Sequence, residues 1–150
     1  MFEQFKKLYD EQGVRRYYVG GALGVDMWAG ELILRLKEQP GYGDIELVVV
    51  LPFEGHDSKW DERSKRRMDF LLRMCSDCVV IGKEDCRESY IKRNRYMVDH
   101  ADYLVAVYDN ERNLRSGTMQ TVRYAQNKGI TISFVNPDTA TVTTNYIYSN

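Results

Sequence analysis

Short apolar runs alternate with amphipathic segments along the whole chain. Runs rich in β-branched and aromatic residues predict strands at 14–20, 45–51, 78–82, 103–108 and 130–135. Apolar residues at helical spacing predict helices at 2–12, 26–37, 60–74, 88–101 and 116–128. The runs at 45–51 and 103–108 are almost continuously apolar, which is typical of parallel strands buried on both faces. We expect 103–108 to be the clearest buried strand.

This alternation of strands and helices predicts an α/β fold. We expect a Rossmann-like open, mainly parallel sheet of about five strands with helices on both faces. At 150 residues the chain is predicted to form one domain over 1–150, with 136–150 as a peripheral tail. Within that tail, the β-favouring residues of 140–148 indicate an edge strand.

A glycine-rich turn joins the first predicted strand to the second predicted helix. Gly20, Gly21 and Gly24 lack side chains where the backbone turns sharply or approaches a ligand closely. The N–H groups at the start of the helix form an anion site, so the turn is interpreted as a phosphate cradle. The alternative is a tight turn with glycines for packing and Asp26 as an ordinary N-cap. The turn contains Gly20, Gly21, Ala22, Leu23, Gly24 and Asp26.

Three loops follow the carboxyl ends of predicted strands, and in a parallel sheet these ends lie along one edge. They are the glycine turn, the loop that begins with Pro52 and Phe53, and the loop from Asp109 to Thr118. The last loop ends at a second helix start, so we expect two neighbouring anion sites beside the carboxylates of Asp26 and Asp109. That combination suits a phosphorylated ribose. Neither the G-x-G-x-x-G fingerprint nor a Walker A loop is present.

Composition narrows the class of partner. The chain has 21 Lys and Arg against 22 Asp and Glu, and a net charge of −1, which makes nucleic acid an unexpected partner. No apolar run approaches the ~20 residues that span a bilayer, and no signal-peptide pattern is present, so we expect a cytoplasmic protein without a membrane partner. Cys75 and Cys78 form a single C-x-x-C pair, interpreted as small core residues rather than a metal site.

Several motifs follow one another in a specific order and spacing. They are Gly20-Gly21-Ala22-Leu23-Gly24-Val25-Asp26-Met27-Trp28-Ala29, Leu51-Pro52-Phe53, Arg93-Asn94-Arg95-Tyr96-Met97-Val98-Asp99, Ala101-Asp102, Tyr108-Asp109 and Ser116-Gly117-Thr118. Together these motifs resemble the YpsA-like family of the SLOG superfamily. That superfamily also contains the Rossmann-like domain of DNA-processing protein A and the Lonely-guy phosphoribohydrolases. The resemblance implies binding of nucleotides or nucleotide-derived signals, including molecules of the ADP-ribose type. Family members usually begin with a further strand, and this sequence opens on the first helix. We therefore expect part of the pocket either to be missing or to be supplied by another subunit or by the tail.

The resemblance also bears on catalysis. Lonely-guy enzymes use an arginine and a glutamate in a Pro-Gly-Gly-x-Gly-Thr-x-x-Glu segment. Arg93 matches the arginine, but Thr121 stands at the glutamate position and Gln120 is not an acid. Without that carboxylate an oxocarbenium-like centre loses its obvious stabilising group. The resemblance therefore implies binding more strongly than hydrolysis.

The leading hypothesis is a nucleotide-binding module that senses or sequesters a nucleotide or ADP-ribose-like signal, with no required cofactor and no metal. One alternative is an N-glycosidic-bond hydrolase of the Lonely-guy type, with Arg93, Asp26 and Asp109 as catalytic candidates. Further alternatives are a single-stranded DNA-binding protein and a structural module. The aromatic content favours a homo-oligomer. The predicted ligand-binding residues are Gly20, Gly21, Ala22, Leu23, Gly24, Asp26, Pro52, Phe53, Arg93, Asn94, Asp109, Ser116, Gly117 and Thr118.

Overall fold

The computed structural model describes residues 1–107, 116–136 and 141–145. In these ranges five helices alternate with strands, and a sixth strand follows the fifth. The helices are α1 (Phe2–Gln12), α2 (Val25–Glu38), α3 (Glu62–Met74), α4 (Arg87–Asp99) and α5 (Ser116–Lys128). The strands are β1 (Arg16–Val19), β2 (Glu46–Leu51), β3 (Asp77–Val80), β4 (Tyr103–Val107), β5 (Thr131–Val135) and β6 (Val142–Asn145).

The chain divides into two compact units, residues 1–93 and residues 94–150, and the boundary between them falls within α4. The first unit holds a parallel sheet in the order β1-β2-β3. Its central strand β2 is the most deeply buried, with Leu47, Val49 and Val50 fully inaccessible to solvent. Helix α2 packs on β1 and β2, and α1 and α3 pack on α2. The prediction of one domain over 1–150 stays a prediction.

The second unit has its own sheet and its own small core. Strand β4 pairs in parallel with β5, and β6 pairs antiparallel with β5. Helix α5 packs on β4 and β5. The core consists of Val98, Ala106, Val122, Ala125, Ile130, Ile132 and Phe134. The predicted edge strand within 140–148 is confirmed as β6.

The α/β class and the Rossmann-like alternation are confirmed, but the prediction of one five-stranded sheet is wrong. The described strands form two sheets of three strands each. Hydrophobic periodicity identifies a strand, but it does not say which neighbouring strand receives its hydrogen bonds. The expectation that 103–108 is the clearest buried strand is also wrong within the described part, since only Ala106 of β4 is buried. Strand β4 lies at an edge of its sheet, where one side lacks a neighbouring strand. Tyr108 lies outside the described residues.

Local signals set the helix ends. Gly13 ends α1 in the left-handed region at φ 72° and donates its N–H to the Leu8 carbonyl. Helix α3 begins at Glu62 because the Asp61 side chain accepts the Ser64 N–H at 2.9 Å. Among the described helices, none combines the length and apolar character that crossing a bilayer requires. Cys75 is half-buried and Cys78 is exposed, so the interpretation of both as core residues is wrong for Cys78.

Two adjacent residues of α3 offer a direct test of which side of this helix faces the core. Leu71 is fully buried against Gly30 of α2, whereas Phe70 is 42% exposed. We expect Leu71→Ala to lower the free energy of unfolding by about 2–5 kcal/mol, because it removes buried methyl groups and leaves a cavity. We expect Phe70→Ala to change it by less than about 0.5 kcal/mol. Urea unfolding followed by circular dichroism measures both, and equal losses would contradict this orientation of α3.

Candidate functional site

The glycine turn lies between the end of β1 and the start of α2. Gly20 follows β1 and is buried, and Gly21 is buried with φ 69°. Ala22 is half-buried and Leu23 is exposed. Gly24 is the N-cap of α2 at φ 83°. Both positive φ values lie where L side chains are strained, so the sequence can make this turn at low cost only with glycine at these positions.

A charged pair holds the turn from its inner side. Asp26, in the first turn of α2, accepts the backbone N–H groups of Gly20 and Ala22. Arg93 of α4 is 6% exposed, donates from Nη1 to the Gly20 carbonyl, and attracts the Asp26 carboxylate. The two side chains therefore engage both the N–H and the C=O of Gly20, which fixes the backbone where the strand becomes a turn.

The same pair explains why the first position of the turn is glycine. A Cβ atom on Gly20 would lie 2.7 Å from Asp26 Oδ2 and 2.9 Å from Arg93 Nη1. Those distances are too short for a carbon atom beside a carboxylate or a guanidinium. A larger residue at position 20 would force these two side-chain ends to move, so the close approach favours glycine here.

Burial dominates the titration behaviour of this pair. Burial raises the pKa of Asp26, while the Arg93 charge and the N–H groups of Ala22 and Gly20 act in the opposite direction. Burial likewise lowers the pKa of Arg93, and the Asp26 charge opposes that change. An arginine still remains protonated at neutral pH. The pair therefore carries a desolvation cost on both sides, and its hydrogen bonds with the turn offset part of it.

A second contact ties the turn to the loop after β2. His56 Nε2 lies 2.9 Å from the Gly21 carbonyl, and because a carbonyl only accepts, Nε2 carries the proton. The His56 ring packs edge-on against Trp60, with ring centroids 5.1 Å apart. A Cβ atom on Gly21 would lie 2.8 Å from Leu51 Cδ2. The sequence pattern gives no signal for this role of His56, because the residue lies 35 positions from Gly21.

Within the described residues, the outer side of the turn has no close neighbour at Gly24. A Cβ atom added there would meet none of their heavy atoms within 4 Å, and Gly24 offers α2 no side-chain cap. Around this helix start the exposed fractions are 46% for Leu23, 42% for Val25 and 47% for Trp28. An uncapped helix start presents N–H groups and a partial positive charge, which is the chemistry that binds phosphate or carboxylate.

Pro52 and Phe53, predicted as ligand contacts, are buried in the first unit. Pro52 is among the fully buried side chains and its carbonyl accepts the Gly82 N–H at 2.7 Å. Phe53 is 9% exposed and packs edge-on against Tyr90, which also lies under the Arg93 guanidinium. In these positions the two residues support the loop that carries His56.

The remaining predicted residues belong to the second unit. Asn94 is half-buried. Ser116 begins α5, Gly117 is exposed with its carbonyl accepting from Thr121 Oγ1 at 3.0 Å, and Thr118 is half-buried. Asp109 lies outside the described residues. The structure thus brings Gly20, Gly21, Ala22, Asp26 and Arg93 together within the first unit, while the sharing of one cleft by the two helix starts stays a prediction.

Parallel strands that alternate with helices, together with a glycine turn leading from strand to helix, define a Rossmann-like α/β protein with a candidate anion site. The chain belongs to the YspA SLOG family, whose profile matches residues 1–140. The resemblance seen in the glycine turn and its companion motifs is thereby confirmed.

Individual relatives are moderately similar. A UPF0398 protein of Staphylococcus epidermidis is 26% identical over 111 residues, which is 73% of this chain and 57% of that protein. UPF0398 proteins of Bacillus cereus and Bacillus thuringiensis are each 29% identical over 104 residues, which is 68% of this chain and 55% of theirs. The chain therefore spans a little over half the length of these curated relatives.

The charged pair predicts a strong coupling between two side chains. We expect Asp26→Asn, which leaves the Arg93 charge buried without its counter-charge, to lower the free energy of unfolding by about 3 kcal/mol or more. Arg93→Met should lower the free energy of unfolding by a similar amount. The double variant should lose clearly less than the sum of the two single losses, with a coupling energy of about 1–3 kcal/mol. Chemical unfolding of the four proteins completes the cycle. Additive losses would show that the two side chains act independently.

Proposed function

We propose that the chain is a nucleotide-binding module and that the phosphate of its ligand binds at the start of α2. The ligand class is a nucleotide or an ADP-ribose-like signal, which the protein senses or sequesters. No cofactor or metal ion is needed for this role. Membership of the SLOG family supports the ligand class, and the geometry of the glycine turn supports the position of the phosphate.

One observation carries the proposal: the turn is braced from inside and open outside. Asp26 and Arg93 fix the backbone of Gly20, and His56 holds Gly21. The start of α2 has no side-chain cap, and no described residue lies within 4 Å of a Cβ atom built on Gly24. Backbone donors that are already held in place lose little freedom on binding an anion, so they favour binding at low entropic cost.

In this proposal the two charged residues position the site without touching the ligand. The Asp26 carboxylate is engaged by two N–H groups and by the Arg93 charge. It is therefore a weaker candidate for ribose hydroxyls than its place in the sequence indicates. The ligand contacts come instead from the backbone of Leu23 to Asp26 and from the exposed side chains around it.

The hydrolase alternative has less support. It requires Asp26 or Asp109 to replace the glutamate that is absent at Thr121. Asp26 is held inward by the turn, which leaves it poorly placed to stabilise a developing positive charge. Binding without catalysis therefore fits the described residues better. We also propose that the protein acts in the cytoplasm as a homo-oligomer, and sedimentation velocity would test the second part.

A ligand screen tests the proposal directly. Thermal unfolding is measured with AMP, ADP, ADP-ribose, NAD and inorganic phosphate, each against adenosine as an uncharged control. A ligand at a hundred times its dissociation constant should stabilise the folded protein by about 2.7 kcal/mol. We expect at least one phosphorylated ligand to raise the melting temperature while adenosine does not. A folded protein that responds to none of them would overturn the proposal.

Val25 allows a charge test at the proposed phosphate site. It is the first residue of α2 and is 42% exposed. A glutamate there favours the helix, because a negative charge at a helix start is stabilising. The same charge repels a bound phosphate.

We therefore expect Val25→Glu to keep or raise the melting temperature and to weaken the phosphorylated ligand about tenfold, which corresponds to about 1.4 kcal/mol. Val25→Gln, similar in size and uncharged, is the matched control and should retain affinity. Isothermal titration calorimetry measures both variants. Equal affinity of the Glu and Gln variants would place the phosphate elsewhere.

A further inference from the structure

One side of α3 combines arginines with large apolar side chains. Arg63, Arg66, Phe70, Arg73 and Met74 follow one another at helical spacings of three, four, three and one, so they share one side of the helix. We call this side the basic–aromatic face. All five residues are exposed, with values of 42% for Phe70 and 49% for Met74. Met68 and Leu71, which anchor α3 in the core, are fully buried and lie on another side.

The arginines of this face have no acidic partner among the described residues. The described ion pairs of α3 join Lys65 to Glu62 and Arg67 to Glu31. Arg63 and Arg66 are one helical turn apart, and like charges at that spacing repel each other. The face therefore holds three arginines without a described ion pair, although Glu62 and Asp69 lie one helical turn before Arg66 and Arg73 at its border. Its exposed aromatic and thioether groups add apolar surface of the kind that marks interaction sites.

We propose that the basic–aromatic face binds an acidic amphipathic segment of a partner protein. Carboxylates of that segment would pair with the arginines, whose planar guanidinium groups donate two parallel hydrogen bonds to a carboxylate. An apolar side chain of the segment would pack between Phe70 and Met74. The distance along α3 from Arg63 to Arg73 is ~15 Å, about three helical turns, which matches a short helix carrying one acidic residue per turn.

Charge distribution favours an acidic segment over nucleic acid. Asp69 and Glu62 are exposed and border the basic–aromatic face on one side, so the positive region is narrow. The whole chain has a net charge of −1. A phosphate backbone needs a cationic stripe that continues beyond a few contacts. A short segment with acidic and apolar residues needs only a few cations beside an apolar surface, and the basic–aromatic face provides both.

The test uses the full chain and a fluorescein-labelled synthetic helical peptide in which glutamates, one per turn, flank a central leucine and phenylalanine. Fluorescence anisotropy at low salt should show binding, and a scrambled peptide of the same composition should bind more weakly. We expect Arg66→Glu and Arg73→Glu each to weaken the peptide about tenfold. Phe70→Ala should weaken it without reducing the salt dependence, because it removes an apolar contact and no charge.

Arg87→Glu is the matched control. Arg87 is exposed at the start of α4, outside the basic–aromatic face, and its reversal makes the same change in net charge. It should leave peptide binding unchanged. Thermal unfolding confirms that each variant is folded. Retention of a phosphorylated ligand by Arg66→Glu would show that the peptide result is separate from the proposed nucleotide site.

Three results would overturn the proposal. The first is equal peptide affinity of Arg66→Glu and Arg87→Glu. The second is a single-stranded oligonucleotide that binds the same arginines more tightly than the peptide does. The third is a change of oligomeric state in the arginine variants, measured by sedimentation velocity, which would assign the face to contacts between copies of this chain.

Discussion

The attraction between Asp26 and Arg93 is the constraint on which the glycine turn depends. It brings together a residue of the first turn of α2 and a residue of α4, and both engage the backbone of Gly20. The pair is stable there because the polar groups of the turn compensate for water lost on burial. Without it, the N–H and C=O of Gly20 would lose these two partners where the chain changes direction.

This arrangement separates the groups that shape the turn from the groups that face outward. Side chains with charge and hydrogen-bonding capacity, namely Asp26, Arg93 and His56, are directed at the backbone of Gly20 and Gly21. The outward side offers backbone N–H groups and the exposed apolar residues Leu23 and Trp28. In the proposed function, this site would bind an anion through the geometry of its backbone N–H groups. Its chemistry is therefore carried by glycines and by the residues that brace them.

Helix α3 shows the same division on a larger scale. Met68 and Leu71 anchor it in the core of the first unit, and Arg67 reaches Glu31 of α2. The basic–aromatic face is not used by this packing, although its residues are large and strongly charged. Packing in the core explains the residue types on one side of α3 only, so the residue types on the other side need a separate explanation.

Much of this protein is determined by sequence patterns that act locally. Hydrophobic periodicity predicted which segments are helices or strands and their order, because a helix or strand that buries one face needs apolar residues at its own spacing, whichever element it packs against. Glycine positions marked the turn after β1, and order and spacing of the motifs marked the family. The helix, strand and turn signals depend only on residues within a few positions of one another, whereas the family signal depends on the order of motifs between Gly20 and Thr118.

The tertiary structure determined which strands pair and which side chains contact one another. It placed β4 at an edge rather than in a centre, and it paired the described strands into two sheets instead of one. It turned the Asp26 carboxylate inward and brought His56 to the Gly21 carbonyl. Contacts of this kind join residues tens of positions apart, and the sequence near each one is equally compatible with other partners. The residue type determines which interactions a side chain can form, and only the fold determines which group it contacts.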